Sequence, residues 1–267
     1  MIRTVITGAG GRMGGTLVRM VQGDAELQLS GATAEPGSPL AGQDAGMVAR
    51  GSPADIAVVD ALEKALDGAQ VVIDFTAPKA SVAHARLCAE RKVAIVIGTT
   101  GLEPADKAAI AGYAKQTPIV LAPNTSVGVN VVFQIAGVLA RALGDGYDVD
   151  ILEAHHRMKK DAPSGTALEL ARVVAEALGR SREDYRMARE GQIGARPAKE
   201  IGVQTLRGGD VVGEHTVYFF GAGERVELTH RATNRDQFAK GALRAAKWLA
   251  GRPPGLYDMR DVLGFEK

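Results

Sequence analysis

The N-terminal half of the chain alternates short apolar runs with helical stretches, and this alternation constrains the fold more than any other feature. Short apolar runs bounded by Gly, Pro or Thr are typical of buried strands, and longer runs with helical periodicity are typical of helices. The predicted strands are 2–6, 27–33, 56–59, 71–76, 93–97 and 119–121. Because helices separate the strands, the pattern predicts an α/β fold with a doubly wound parallel sheet, in which ligands bind beyond the carboxyl ends of the strands.

A glycine-rich turn joins the first predicted strand to the first helix. It reads Gly8-Ala9-Gly10-Gly11-Arg12-Met13-Gly14, so Met13 stands where a G-x-G-x-x-G fingerprint has its third glycine. Spaced as Gly8, Gly11 and Gly14, the turn is a G-x-x-G-x-x-G variant of the dinucleotide fingerprint. It predicts a pyrophosphate site at the helix N-terminus, with Arg12 as a candidate phosphate contact. A plain strand–helix connection with a solvated Arg12 is the alternative.

Polar residues follow the other predicted strands at the same edge of the sheet. The second strand leads to Ala34-Glu35-Pro36, where an acid would hydrogen-bond the adenosine ribose and favour NAD; a solvated carboxylate is the alternative. Residues 36–55 are rich in Gly, Pro, Ala and Ser and are predicted to form a connecting loop. Thr76, Gly98–Thr100 and Ala122–Thr125 complete this edge.

The pattern changes after Val127, which indicates a second, α+β domain. A long apolar helix over 129–143 leads to a buried strand at 149–152, and two runs rich in β-formers, 213–220 and 225–231, predict a hairpin in a mixed sheet. A final amphipathic helix over 234–249 is expected to return to the first domain. We therefore expect a dinucleotide-binding domain at 1–126, completed by 234–267, and a substrate-binding and oligomerisation domain at 127–233.

The window from Glu153 to Ala167 concentrates titratable and anion-binding groups. It contains, in order, His155, His156, Arg157, Lys159, Lys160, and Ser164-Gly165-Thr166. Thr166 and Glu169 have the spacing of a capping box, so a helix is expected to begin there. A basic loop between a buried strand and a helix N-terminus favours a site for an anionic ligand over a solvated basic turn.

Composition excludes some broad classes of function. A formal net charge of +1 gives no support to nucleic-acid or membrane binding. We expect no apolar run to reach the length of a bilayer span, and Met1 leads directly into the first strand, so we also expect no signal peptide and a cytoplasmic location. The single cysteine, Cys88, is expected in the core, and the histidines lack metal-binding spacing, so we predict no metal.

These motifs together resemble the 4-hydroxy-tetrahydrodipicolinate (dihydrodipicolinate) reductase family over almost the whole chain. The matching segments are Gly8–Gly14, Asp74-Phe75-Thr76, Gly98–Gly101, Ser126–Asn130, Glu153–Thr166, Arg207–Asp210 and Val212–His215. The resemblance implies a homotetramer with an N-terminal Rossmann domain. It also implies hydride transfer from NADH or NADPH to a cyclic, unsaturated dicarboxylate in lysine and diaminopimelate biosynthesis.

The resemblance further implies roles for single residues. His155 and Lys159 match the proton donors, while His156, Gly165 and Thr166 match substrate-binding residues. Lys160 and the Ser164–Thr166 amides are positioned in sequence to hold substrate carboxylates. The cofactor contacts are expected at Gly8, Ala9, Gly10, Gly11, Arg12, Met13, Glu35, Gly98, Thr99, Thr100, Ala122, Pro123, Asn124 and Thr125.

The sequence leaves several alternatives open. Either His155 or Lys159 can give the proton directly. Family members commonly carry an acid and then a basic residue after the second strand, whereas Ala34-Glu35 lacks the basic residue, which leans the cofactor choice towards NADH. A semialdehyde dehydrogenase is the alternative enzyme and would need Cys88 as a nucleophile. A non-catalytic nucleotide sensor is the alternative of another class, although both expected proton donors are present.

Overall fold

The computed structural model describes residues 1–265, which form two compact units. One unit comprises Met1–Val127 and the chain from Asp236 onward; the other comprises Gly128–Arg235. The elements are β1 (Ile2–Ile6), α1 (Arg12–Gln22), β2 (Leu27–Thr33), α2 (Ala45–Val48), β3 (Val58–Val59), β4 (Val71–Asp74), α3 (Pro78–Arg91), β5 (Ala94–Ile97), α4 (Pro104–Tyr113), β6 (Pro118–Leu121), α5 (Val127–Leu143), β7 (Asp148–His155), α6 (Gly165–Ala177), β8 (Tyr185–Arg186), β9 (Ile201–Arg207), β10 (Gly213–Phe220), β11 (Arg225–Ala232), α7 (Asp236–Leu249), β12 (Gly255–Tyr257) and α8 (Met259–Leu263).

The first unit is built on a seven-stranded sheet in the order β12-β6-β5-β4-β1-β2-β3. Every strand pair is parallel. The chain builds outward from β1 in one direction and then, starting with β4, in the other, which is the doubly wound arrangement. The α/β fold class with a Rossmann-like sheet is thus confirmed.

Helices bury both faces of this sheet. Strands β4 and β5 are buried along their whole length, as expected for parallel strands covered on two sides. One face packs against α1 and α7, whose buried residues include Leu17 and Leu249; the opposite core contains Ile110 of α4. Each fully buried aliphatic side chain of this kind stabilises the fold by about 1.5–3 kcal/mol.

The second unit is built on a mixed five-stranded sheet in the order β11-β10-β7-β9-β8. The central strand β7 pairs antiparallel with β10 and parallel with β9. Helices α5 and α6 contribute Ala136 and Leu170 to its buried core. The predicted hairpin of β10 and β11 and the mixed sheet are both confirmed. The sequence pattern does not predict strand β9, which pairs with β7.

Two local predictions are wrong. Helix α6 begins at Gly165, because the hydroxyl of Ser164 accepts a hydrogen bond from the Ala167 N–H at 3.2 Å and so caps the helix before Thr166. The loop predicted over 36–55 contains the short helix α2, capped by Asp44, whose carboxylate accepts from the Met47 N–H at 3.0 Å.

The longest apolar helix lies in the second half of the chain. Val127–Gly146, which is α5 with the turn that follows, is 20 residues long with a mean hydropathy of 1.6. By length and composition alone it meets the requirement for a membrane span, so the expectation that no apolar run is long enough is wrong. Its inner face supplies Val132 and Ala136 to the core of the second unit, whereas Val131, Ile135 and Val138 of the same helix are exposed.

Candidate active site

The glycine turn of the first unit has the geometry that its spacing predicts. Gly8 has a φ of +65°, a left-handed conformation that favours glycine. A Cβ at Gly14 would lie 2.0 Å from the Gly8 carbonyl oxygen, so α1 approaches the turn closely only because that position lacks a side chain. The backbone therefore requires glycine at Gly8 and Gly14, two of the three positions in the G-x-x-G-x-x-G spacing.

The N-terminus of α1 fits the pyrophosphate of a dinucleotide. Gly10, Gly11 and Arg12 are exposed where the helix begins. Gly11 is the N-cap residue of α1, and among the described residues no side chain caps the helix and no acid lies in its first turn. Backbone N–H groups and the helix dipole therefore favour an anion at this point. Leu40, in the loop after β2, packs over Gly10, since a Cβ at Gly10 would lie 2.3 Å from its Cδ1.

Neighbouring strands bring the other predicted cofactor segments, which follow the carboxyl ends of these strands, to the same edge of the sheet. The Thr76 N–H donates to the Thr99 hydroxyl at 3.0 Å, and the Ala122 N–H donates to the Ile97 carbonyl at 2.9 Å. Gly98 packs against the ring of Phe75, since a Cβ there would lie 2.1 Å from the ring. The segments at 98–100 and 122–125 thus lie together, at the end of the sheet where a nicotinamide would be expected.

The predicted cofactor residues differ in exposure. Thr100, Pro123 and Glu35 are exposed, whereas Ala9, Thr99 and Ala122 are buried and shape the backbone; Met13, Asn124 and the turn glycine Gly8 are half-buried. Thr125 is fully buried, and its hydroxyl donates to the Phe238 carbonyl at 2.6 Å. This side chain therefore ties the loop after β6 to α7, and the Thr125 backbone packs against Gly241 of the same helix, where a Cβ would lie 1.7 Å from its carbonyl oxygen.

Sequence reasoning missed a buried acid beneath these tips. The Asp74 carboxylate is fully buried and accepts hydrogen bonds from the Thr7 hydroxyl at 3.0 Å and the Thr76 N–H at 3.0 Å. It also accepts from Nδ1 of His84 at 3.1 Å. Burial raises the pKa of Asp74, but hydrogen bonds from His84, Thr76 and Ser81 outweigh burial and lower it below its usual value. The ionised carboxylate organises this edge.

In the second unit, the predicted window runs from the end of β7 to the start of α6. Glu153 is fully buried on β7, and His155 ends that strand. Nδ1 of His155 donates to Oε2 of Glu153 at 2.5 Å, and the carboxylate also accepts from the Ser164 N–H at 3.0 Å. The two ends of the window therefore meet at a single side chain.

Arg207, at the end of β9, completes the coordination of Glu153. Its guanidinium donates to both carboxylate oxygens, at 2.8 and 2.9 Å, and to the Asp161 carbonyl at 2.6 Å. Burial raises the pKa of Glu153, but hydrogen bonds from His155, Arg207 and Ser164 prevail and hold it at about 2. Sequence reasoning did not predict this role for Arg207, although its Arg-Gly-Gly-Asp segment is one of the motifs that carry the family resemblance.

The basic residues of the loop lie in differing surroundings. Lys159 is mostly buried and pairs with Asp161 at 2.8 Å, whereas Lys160 is exposed. Nε2 of His156 accepts from the Arg235 guanidinium at 3.4 Å. Gly165 is exposed in the first turn of α6, and Thr166 beside it is half-buried. The predicted catalytic and substrate-binding residues thus lie at the end of β7, in the loop that follows it and at the N-terminus of α6.

A second histidine packs against His155. The rings of His155 and His215 meet edge to face with centroids 5.1 Å apart. Burial lowers the pKa of His215 to about 3, and charge on His155 acts in the same direction, so His215 stays neutral. It also forms a hydrogen bond of 3.1 Å with the Ser164 hydroxyl. His215 is therefore a packing residue of the site.

Cys88 cannot serve as the nucleophile that a semialdehyde dehydrogenase needs. The residue is fully buried in the core of the first unit, and burial raises the pKa of its thiol. A protonated, inaccessible thiol does not attack a substrate. The prediction that Cys88 packs in the core is confirmed.

The first unit has a dinucleotide-type sheet, and the second has a mixed sheet and a site with His, Lys and Arg. These features define the class of protein as a two-domain NAD(P)-dependent oxidoreductase. The family model described as "Dihydrodipicolinate reductase, N-terminus" matches residues 2–125, and the corresponding C-terminal model matches residues 128–263. The chain belongs to the dihydrodipicolinate reductase family, which confirms the resemblance drawn from its motifs.

Individual relatives agree with this assignment. The 4-hydroxy-tetrahydrodipicolinate reductase of Myxococcus xanthus is 67% identical over 100% of this chain and 99% of its own. That of Geobacter metallireducens is 52% identical over 99% of both chains. Among solved structures, the dipicolinate-bound dihydrodipicolinate reductase from Paenisporosarcina sp. TG-14 covers 97% of both chains with a TM-score of 0.78 and 26% identity.

Proposed function

We propose that the protein reduces 4-hydroxy-tetrahydrodipicolinate to tetrahydrodipicolinate in lysine and diaminopimelate biosynthesis, with the 4-hydroxyl group leaving as water. When bound, a reduced pyridine nucleotide supplies the hydride. The relatives' names support the reaction, and the observation that carries its chemistry in this chain is the anchoring of His155 by Glu153 beside the basic loop and the α6 N-terminus. Such a reduction needs one proton donor and fixed hydrogen-bond donors for two carboxylates.

His155 and Lys159 are the proposed proton donors. The ionised Glu153 accepts from Nδ1, so that nitrogen keeps its proton and Nε2 is the position that exchanges one with a substrate. Lys159 is held by Asp161 in the same loop, at 2.8 Å. We assign the direct transfer to His155, because its ring is fixed by a hydrogen bond, and the assisting charge to Lys159.

The substrate carboxylates are proposed to lie at the start of α6. Ser164 caps this helix, and the exposed Gly165 belongs to its first turn, where an anion is favoured. Lys160 and His156 supply further positive charge or hydrogen-bond donors from the loop. Dipicolinate, the ligand bound to the Paenisporosarcina reductase, is a planar dicarboxylate of the same chemical class as the proposed substrate.

The dinucleotide is proposed to bind the turn over Gly8–Met13, with Glu35 at its ribose and the segments 98–100 and 122–125 near its nicotinamide. Glu35 follows β2 and no basic residue comes next, which supports a preference for NADH over NADPH. The fit of the α1 N-terminus to a pyrophosphate supports either cofactor.

We also propose a homotetramer assembled through the second unit. Strand β11 is an edge strand of its sheet, and Leu206 and Phe220 leave large apolar side chains exposed, at 54% and 37%. Native proteins often cover a long strand edge of this kind with another chain or element. Light scattering should give four times the chain mass of 27.9 kDa; a monomer would contradict this assignment.

A coupled assay tests the proposed function. Purified protein, aspartate semialdehyde, pyruvate and the preceding synthase should consume NADH in a manner that depends on every component. Omission of pyruvate is the control, because it prevents formation of the cyclic substrate. Persistent nicotinamide absorbance in the complete mixture would reject the reductase assignment.

A further inference from the structure

Glu153 receives more donors than an ordinary ion pair provides. Oε1 accepts from the Ser164 N–H at 3.0 Å, the Thr205 hydroxyl at 3.2 Å and Arg207 at 2.9 Å, and Oε2 accepts from Arg207 at 2.8 Å and from His155 at 2.5 Å. A buried carboxylate is costly unless its lone pairs are filled in this way. The donors come from β7, β9 and the start of α6, so one side chain joins three elements.

We propose that Glu153 is the positioning residue of the site, with Arg207 as its anchor. The carboxylate holds the His155 imidazole with Nδ1 protonated, which leaves Nε2 as the proton-exchanging atom, and fixes that ring relative to the first turn of α6. This inference rests on the proposed reductase function and adds the residues that make His155 a competent acid.

The surroundings of His155 agree with a ring that is held from one side. Its Nε2 lies against Gly213, where a Cβ would come within 3.0 Å, so no side chain from that position covers the nitrogen. The neutral His215 packs against the ring edge and does not compete for the Glu153 carboxylate. A fixed tautomer is the usual consequence of a carboxylate on one imidazole nitrogen.

The connection to Ser164 gives Glu153 its second function. Ser164 donates its N–H to the carboxylate and caps α6 with its hydroxyl. Arg207 reaches the Asp161 carbonyl within the intervening loop. Movement of Glu153 would therefore disturb the proposed acid and the proposed carboxylate site together.

Glu153→Gln is the informative substitution because it preserves shape and removes charge. A carboxamide has one oxygen and one NH₂ group, but Arg207 presents N–H donors to both positions. The NH₂ group must face a donor, so either His155 or Ser164 loses its acceptor. We expect kcat to fall roughly 100-fold, as for the loss of other orienting carboxylates, with the KM for NADH unchanged.

Asp150→Asn is the matched control. Asp150 lies on the same strand, is partly buried, and accepts two hydrogen bonds from Arg189, at 3.2 and 2.8 Å. It belongs to the opposite end of β7 and touches none of the groups around His155. Its loss should change kcat by less than about threefold even if thermal stability falls.

Two measurements decide the inference. In long-range ¹H–¹⁵N spectra of [¹⁵N]histidine-labelled protein at mildly alkaline pH, His155, assigned through the His155→Asn spectrum, should be protonated on Nδ1 and bare on Nε2. Steady-state kinetics should show the kcat loss in Glu153→Gln alone, with a larger solvent deuterium isotope effect than in the wild type.

The outcomes separate the two proposals. An Nε2-protonated His155 in the wild type, or a Glu153→Gln enzyme with kcat near that of the wild type, would overturn the positioning role while leaving the reductase intact. Equal kcat losses in Glu153→Gln and Asp150→Asn would also overturn it. A wild-type protein without turnover would reject the proposed function, and the NMR spectrum would still decide how His155 is held.

Discussion

Asp74 and His84 are hydrogen-bonded beneath the carboxyl edge of the parallel sheet, with Oδ2 of the buried acid 3.1 Å from Nδ1 of the histidine. The same carboxylate accepts from Thr7 and Thr76, which lie at the ends of β1 and β4. A buried, hydrogen-bonded carboxylate therefore supports the backbone that we assign to cofactor binding. Loss of this carboxylate should disturb that backbone before other parts of the unit.

Asp74→Asn should weaken cofactor binding as well as the fold. One acceptor oxygen cannot replace two, so either His84 or the threonines lose a partner, at a cost of about 3 kcal/mol. We expect the Kd for NADH, measured by fluorescence titration, to rise about tenfold. Asp60→Asn, which removes an exposed partner of Lys64, is the control. Unchanged NADH affinity in Asp74→Asn would refute the supporting role.

The Glu153 carboxyl should make stability depend on pH in acid. Its pKa is about 2 in the folded protein against 4.5 ordinarily, so the stabilisation is fully present above pH 4.5 and is lost as pH falls towards 2. The difference corresponds to about 3 kcal/mol. Urea unfolding measured across this range should show that the free energy of unfolding of the wild type exceeds that of Glu153→Gln by less as the pH falls. A difference in unfolding free energy that does not change with pH would show that the Glu153 carboxyl is not selectively stabilised as an anion.

Removing either proposed proton donor should affect turnover more than cofactor binding. His155→Ala and Lys159→Ala should each lower kcat by roughly 10²–10⁴-fold with little change in NADH affinity, because neither residue belongs to the unit that carries the glycine turn. Met158→Ala is the control, since its side chain is 75% exposed in the same loop. Wild-type turnover in either variant would remove that residue from the proposed chemistry.

The cofactor preference should follow the charge at the end of β2. Glu35 repels a 2′-phosphate, which near a protein surface is worth about 1 kcal/mol or more, so kcat/KM should favour NADH about tenfold. Glu35→Gln should lower the ratio of kcat/KM with NADH to kcat/KM with NADPH. Arg12→Ala tests whether the exposed guanidinium partly compensates, in which case NADPH alone would lose efficiency. A wild-type enzyme that prefers NADPH would contradict the assignment of Glu35.

The fold class could be predicted from the sequence because its signals are local. Alternating strands and helices, the spacing of Gly8 and Gly14, and the basic window can each be recognised without knowledge of long-range contacts. Strand β9 could not be predicted, because Gly202 interrupts its apolar pattern. The structure explains that glycine: a Cβ there would lie 1.7 Å from a carboxylate oxygen of Asp150 on the paired strand.

The roles of the supporting residues in the candidate site could not be predicted either, because they depend on long-range contacts. Glu153 opens the predicted window, but its complete burial and its contact with Arg207, which is 54 positions away, depend on the pairing of β7 with β9. Asp74 and His84 are ten positions apart and become partners only when α3 folds back on β4. The sequence does not distinguish the capping residue of α6, because Ser164 and Thr166 both have side chains suited to the role.

The most direct test of the account follows the hydride itself. The purified protein would be given NADH deuterated at both C4 positions together with the substrate formed by the synthase, and the product analysed by mass spectrometry. Direct transfer predicts one deuterium in each tetrahydrodipicolinate molecule and a lower rate than with unlabelled NADH. A product that carries no deuterium would contradict the assignment of this chain as a pyridine-nucleotide reductase of the cyclic dicarboxylate.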